Sequence, residues 1–278
     1  MAAALSLVAG CSSVDSSGEG SLLDTVKERG SINVGFAGEK PYAYKEGNEL
    51  LGQAPAVHKA IYEELGINEL NGTQVDFGQL IPGLKAGRFD VVAAGMFILP
   101  ERCAEADFSE PVYIAPNAFL VPAGNPKKIS DFESVASSDS KVGVLPGAVE
   151  GIYAQKTGTP QNRIVEVSSQ RDGLAALKAG RIDALAITSI SLNRLLQDSP
   201  DSGVEITEAF VPVIDGEEQI GAGGAVFRKG DDELREAFNA ELNKLRESGR
   251  LLELIEPYGF GPETIPPDDL TTEQLCQS

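Results

Sequence analysis

The chain has 278 residues, 42% of them hydrophobic and 23% charged, with a net charge of −19. That size and balance suit a soluble protein with a real core, built as one large or two medium domains. The negative charge excludes nucleic acid and anionic lipid as charge-recognised partners, the single histidine, His58, leaves little material for a metal centre or a Ser-His-Asp triad, and no G-x-x-x-x-G-K-[ST] phosphate loop is present.

From the N-terminus, Leu7-Val8-Ala9-Gly10 leads into Cys11, a short apolar stretch ending in small residues before a cysteine. It resembles the lipobox of bacterial lipoproteins. That resemblance implies a lipid-bearing Cys11 and an extracytoplasmic or periplasmic protein, attached to the outer face of the cytoplasmic membrane through the lipid alone. Residues 1–11 are too short to span a bilayer and lack a basic leader, so they read as a truncated lipoprotein signal. Residues 12–30 read as a flexible polar tether, SSVDSSGEGS over 12–21, followed by a short amphipathic helix over 22–29. An oxidising compartment permits a disulfide between the two remaining cysteines, Cys103 and Cys276.

Ser31 to Phe36 alternates like a first strand. The loop that follows carries Glu39 and Tyr42. Ala54 to Leu65 reads as a helix with His58 on its solvated side, and Gln74 to Phe77 as a second strand with Phe77 at its end. Val91 to Ala94 is an apolar run of the kind a buried parallel strand shows. It breaks at Gly95, and Pro100 is well placed to start a helix that carries Arg102. Open α/β sheets bind ligands outside the carboxyl ends of their strands. Glu39, Tyr42, Phe77, Phe97 and Arg102 are therefore candidates for one mouth, suited to a small anion with an apolar or cationic body. On spacing alone, Phe97 also reads as core, Arg102 as a surface helix residue, Glu39 as a solvated loop acid and Tyr42 as loop packing.

Leu84-Lys85-Ala86-Gly87-Arg88-Phe89-Asp90 recurs as Leu177-Lys178-Ala179-Gly180-Arg181-Ile182-Asp183, and each copy feeds an apolar strand. Two like helix–turn–strand units predict two similar α/β lobes. The second is read as a strand over 119–125 leaving the first lobe, a helix capped by Ser130 with Glu133, a strand over 141–145, Pro146-Gly147-Ala148-Val149-Glu150 opening a helix, a strand over 164–167 and a helix over 169–179. A last strand then ends at Thr188. The helix start after Pro146 offers backbone N–H groups to an anion, although Gly147 also reads as a plain tight turn. Residues 221–227 form a return strand, 231–248 a long helix with Leu234, Phe238, Leu242 and Leu245 on one face, and 251–256 a short one. The organisation is a first lobe over 31–120 plus 222–260, a hinge and second lobe over 121–221, and a tail over 261–278 that wraps the surface unless Cys276 pins it.

Gly95-Met96-Phe97-Ile98-Leu99-Pro100-Glu101-Arg102, followed by Asp107-Phe108-Ser109-Glu110-Pro111, resembles the first-lobe signature of the bacterial solute-binding proteins that serve ABC importers of polar amino acids. The likeness covers roughly residues 31 to 260, and within that superfamily the chain is most similar to ectoine- and hydroxyectoine-binding proteins. The resemblance implies a two-lobed, periplasmic-binding-protein-like (type II) α/β fold, with mixed sheets flanked by helices and two crossing hinge strands. It implies a monomer that hands its solute to an ABC permease with a separate ATPase, with no catalysis, cofactor or metal of its own.

At the site, the resemblance implies an aromatic box of Tyr42, Phe77 and Phe97, with Glu39 on the solute's amidinium and Arg102 on its carboxylate. Gly147 and Ala148 would offer N–H groups, with Val149 and Glu150 nearby. Amino-acid-binding relatives carry Ser or Thr where this chain has Phe97 and an acid where it has Thr188. Both departures point away from an α-amino acid. The alternatives are a polar amino acid or a betaine on the same fold, or an enzyme similar to cyclohexadienyl or arogenate dehydratases with Glu39 or Glu150 as acid–base.

Overall fold

The computed structural model describes residues 20–200 and 203–277. Cys11 and most of the polar tether lie outside the described residues. Helix α1 (Leu22–Arg29) begins under the Ser21 side chain and ends at Gly30. Strand β1 (Ser31–Phe36) follows over the predicted residues. The hairpin of β2 (Tyr44–Glu46) and β3 (Glu49–Leu51) leads to α2 (Gln53–Glu64), β4 (Glu69–Gln74), α3 (Leu80–Lys85) and β5 (Val91–Phe97). After α4 (Pro100–Cys103) come β6 (Asp107–Phe108) and β7 (Tyr113–Ile114).

The chain then crosses to a second sheet. That sheet contains β8 (Asn117–Pro122), β9 (Val142–Val144), β10 (Ile164–Glu166), β11 (Ala184–Thr188) and β12 (Val204–Ile206), with α5 (Phe132–Ser137), α6 (Val149–Lys156), α7 (Gln170–Lys178) and α8 (Ser189–Asp198) between them. A small hairpin, β13 (Val213–Ile214) with β14 (Glu217–Glu218), precedes the return strand β15 (Ala222–Phe227). Helices α9 (Asp232–Glu247), α10 (Arg250–Ile255) and α11 (Thr272–Leu275) complete the chain.

The two sheets share one plan. The first runs β4-β1-β5-β15-β6 with β7 also on β15, and the second runs β10-β9-β11-β8-β12. In each, three parallel strands are followed by an antiparallel one, β15 or β8. The repeated heptapeptide occupies the same place in both. Gly87 and Gly180 sit just past α3 and α7 at φ +69° and +66°, the left-handed turn that glycine adopts without a Cβ clash. Arg88 N–H returns to Gly83 O, and Arg181 N–H to Ala176 O. Asp90 then accepts from Asn33 N–H at 2.9 Å, and Asp183 from Lys141 N–H at 2.8 Å. Each aspartate thus ties the start of its strand to the neighbouring parallel strand, to β1 in the first sheet and to the residue before β9 in the second.

Several boundaries and environments differ from expectation. Strand β8 pairs with β11 and β12, so it belongs to the second sheet. The chain therefore leaves the first lobe at Ala115-Pro116, before residue 120. There Ala115 N–H donates to Gly221 O, and Asn117 and Phe210 exchange backbone hydrogen bonds, which joins the two crossing segments. Strand β4 stops at Gln74, and Phe77 opens a single 3-10 turn instead of ending a strand. Helix α5 is capped by Asp131 with Ser134, whose exchange of hydrogen bonds displaces the expected Ser130–Glu133 pair. His58 is 3% exposed, not solvated. It shares the buried stripe of α2 with Ala54, Val57, Ile61 and Tyr62 and packs against Tyr62 and against Phe238 of α9. Burial lowers its pKa to about 3, so the ring is neutral.

The tail is held down. Cys103 and Cys276 are joined by a disulfide spanning 173 residues of sequence. Leu275 packs into a core cluster with Leu80, Leu84 and Met96, and Thr272 Oγ1 donates to Ser109 O at 2.6 Å.

Candidate functional site

The carboxyl ends of the parallel strands of both sheets face one another across a cavity between the lobes. Its walls contain every predicted site residue except Gly147: Glu39, Tyr42, Phe77, Phe97 and Arg102 from the first lobe, and Ala148, Val149, Glu150 and Thr188 from the second. Gly95, Leu145 and Ile187 complete the lining.

Tyr42 is held from three sides. Its ring packs on Tyr113 at 5.2 Å and edge-on against Phe260 at 5.4 Å. Gly95 supplies the third contact. At φ +62° it occupies left-handed backbone, and a Cβ there would collide with the Tyr42 ring. The Tyr42 hydroxyl donates to Thr188 Oγ1 at 3.0 Å, from one lobe to the other. Thr188 Oγ1 also accepts the N–H of Ser191, which makes Thr188 the cap of α8.

Arg102 is 8% exposed. Pro100 starts its short helix, and the side chain turns back so that Nη1 donates to Phe97 O at 2.8 Å. Nη2 donates across the cleft to Gly147 O at 2.9 Å. The guanidinium lies 5.4 Å from the Phe77 ring centroid. A guanidinium has five N–H donors, so two backbone contacts still leave donors for a carboxylate. Burial lowers the pKa of Arg102, but a guanidinium stays charged.

Two carboxyls share the cavity with this cation. Half-buried Glu39 is crowded by protein around its carboxyl, and this burial pushes its pKa up to about 7 against the opposing pull of Ser191. Ser191 Oγ donates to it at 2.5 Å, again across the lobes. Glu150 is 4% exposed and accepts from Asn117 Nδ2 at 2.9 Å. Burial pushes its pKa up to about 7 as well, with the charge on Glu39 adding to the rise.

The helix start is used differently from the prediction. Gly147 presents its carbonyl to Arg102 instead of an N–H to a ligand, and the Ala148 N–H is taken by Leu145 O at 3.1 Å. The tight turn at Gly147, with φ +74°, turns that carbonyl outward. Ala148 has no side chain with which to cap α6, whereas Asp131, Ser169 and Thr188 cap the other three helices of the lobe. Both the uncapped start of α6 and the Thr188 cap of α8 border the cavity. Ser191 and Asn117 were missed by sequence reasoning, because each is far in sequence from the carboxylate it serves. Gly95 was visible as a break in an apolar strand. Leu145 and Ile187 carry no signal that separates them from core.

Among the described residues, no group of three His, Cys, Asp or Glu side chains is placed to hold a metal ion, and no helix is long and apolar enough to cross a membrane. The arrangement can hold a small molecule with one anionic and one cationic end, enclosed by aromatic faces.

Comparison with known proteins places this architecture. A probable amino-acid ABC transporter periplasmic-binding protein of Sinorhizobium fredii is 37% identical over 261 residues, covering 92% of this chain and 86% of that protein. An L-arginine-binding protein of Pseudomonas aeruginosa is 30% identical over 233 residues, covering 82% and 87%. The crystal structure of EhuB in complex with hydroxyectoine superposes with a TM-score of 0.84 at 35% identity, covering 92% of this chain and 97% of that one. The family model for bacterial extracellular solute-binding proteins, family 3, matches residues 32–262. The chain belongs to that family: it is a two-lobed extracytoplasmic solute-binding protein of the ABC-importer type.

Proposed function

We propose that this protein captures ectoine or hydroxyectoine between its lobes and delivers it to an ABC permease powered by a separate ATPase subunit. The observation that carries the reading is the content of the cavity: three aromatic side chains, one buried arginine and Glu39, with Thr188 where an α-ammonium would ask for an acid. Ectoine is a cyclic amidine with one carboxylate and no primary ammonium. Its delocalised cation fits against Tyr42, Phe77 and Phe97, with Glu39 accepting its N–H groups. Its carboxylate fits the remaining donors of Arg102 and the uncapped start of α6.

The magnitudes are adequate. A cation over an aromatic face gains about 0.5–2 kcal/mol, and a bidentate arginine–carboxylate contact is among the stronger hydrogen-bonded pairs. Three such faces and one such pair are contributions of the right order against the roughly −8 kcal/mol of micromolar binding. The EhuB likeness supports the same solute class. The lipid anchor at Cys11 remains part of this proposal, as does a role in transport without catalysis.

The second reading is a cationic amino acid. It is favoured by Glu150, a second buried acid in the cavity. Isothermal calorimetry of the purified protein separates the two. Ectoine and hydroxyectoine are titrated beside glycine betaine, proline, glutamine, histidine and arginine. Micromolar or tighter binding of the ectoines alone is expected. Binding of an amino acid instead overturns the solute assignment.

A further inference from the structure

The solute reading leaves Glu150 without a role. Its carboxyl lies in the first turn of α6, where Asn117 Nδ2 of β8 donates to one oxygen. The charged and titratable groups that face it are Glu39 and Tyr42 on the loop after β1, Arg102 on α4 and Tyr153 on α6 itself. The charges do not balance: one guanidinium stands against two carboxylates. A net-neutral solute does not correct this, because its cation settles on Glu39 and its carboxylate on Arg102. Glu150 would then be a buried anion beside a second carboxylate, with the charge of Arg102 already matched. Two carboxylates in one dry site do not both stay ionised.

We infer that Glu150 enters the solute complex as a neutral acid, taking up one proton as the cleft closes and donating it in a hydrogen bond to the solute's carboxylate. The inference rests on the solute reading above. The step is a simple protonation: a carboxylate that is ionised when the open lobes let water reach it gains a proton from the buffer, and only an O–H bond forms. Glu150 is thereby a specificity-determining residue, because an O–H donor rewards an acceptor that an ionised carboxylate would repel. Burial, with the charge on Glu39 adding to it, already holds its pKa at about 7 in the closed cleft, against 4.5 for an ordinary glutamate. A bound carboxylate pushes it in the same direction. Since the complex holds the extra proton, affinity rises as pH falls through the pKa of the complex and levels off near the ordinary carboxylate range.

Calorimetry of the wild-type protein with ectoine near pH 6, in two buffers of different ionisation enthalpy, tests this. The expected result is uptake of close to one proton per solute, with affinity falling roughly five- to tenfold between pH 6 and pH 7. In Glu150→Gln, whose amide keeps a donor but cannot titrate, uptake vanishes and the fall with pH disappears. Tight binding with buffer-independent heat overturns the assignment. So does uptake that survives Glu150→Gln and vanishes in Glu39→Gln, which puts the proton on the other acid. If Glu150→Gln fails to fold, Glu39→Gln decides the matter: uptake of close to one proton must persist in it, and its loss there overturns the assignment. No heat with ectoine or hydroxyectoine in any buffer instead overturns the solute reading, and this inference falls with it.

Discussion

The two lobes have the same strand order and the same heptapeptide at the same turn, yet they bring different chemistry to the cleft. The first supplies the aromatic faces, Arg102 and Glu39. The second supplies a helix start, Glu150, Thr188 and two aliphatic walls. The direction of the interlobe contacts sharpens the contrast. Tyr42, Glu39 and Arg102 each reach across to a hydroxyl or a carbonyl of the second lobe. On the proposed function the first lobe is a platform that carries most of the groups for the solute, and the second is a cover that adds Glu150 and is held by contacts from the platform. A shared fold fixes where a site forms; the loops at the strand ends decide what it binds.

This division is open to direct attack, beginning where the largest effect is expected. Arg102→Ala removes the cation, its stacking on Phe77 and its bond to Gly147. Leaving a buried carboxylate unpaired costs about 3–5 kcal/mol, so ectoine affinity should fall at least a hundredfold by calorimetry. An unchanged affinity would end the platform model. Phe97→Ala opens one wall of the box, and affinity should fall about ten- to a hundredfold. Because Phe97 is also 5% exposed and packed near Tyr113, a loss of stability of about 3–5 kcal/mol is expected with it if the cavity does not collapse, read as a lower melting temperature.

Tyr42→Phe tests the cover. It keeps the ring and deletes only the hydroxyl that reaches Thr188, a bond worth about 0.5–1.5 kcal/mol. Stopped-flow measurement should show two- to tenfold faster solute release with little change in the association rate. If association slows instead, the bond belongs to recognition and the contrast between lobes fails. Replacing Cys103 and Cys276 together by serine should have the smallest effect on binding, under about threefold. It should still lower the melting temperature, since a disulfide of this kind contributes about 2–5 kcal/mol, or roughly 5–15 °C in a protein of this size.

Much of this was legible along the chain. Strand β1, the paired turns at Gly87 and Gly180, and the strand-end positions of Glu39, Tyr42, Phe97 and Arg102 follow from periodicity, glycine placement and the rule for ligand mouths. The site's partners were not. Ser191 lies 152 residues from Glu39, and Asn117 lies 33 from Glu150, and no local pattern links a hydroxyl or an amide to a distant acid. His58 was readable: it stands four residues from both Ala54 and Tyr62, on the stripe that faces the core, and the polarity of its ring obscured that spacing. The orientation of the Gly147 peptide was not readable, since a tight turn can present either its N–H or its carbonyl. The place of β8 was also hidden, because an apolar strand between two lobes carries no mark of which sheet it will join.

The exchange of antiparallel strands bears on how the molecule is made. The second sheet draws only on residues 117–206, a single unbroken stretch. The first sheet must wait for β15, whose residues 222–227 are translated after that whole stretch. Domains usually fold in the order in which they are synthesised; here the N-terminal half emerges first, yet its sheet cannot be complete until β15 has been made. The lobe that carries Arg102 and Glu39 is thus completed in sequence only after every strand of the second sheet.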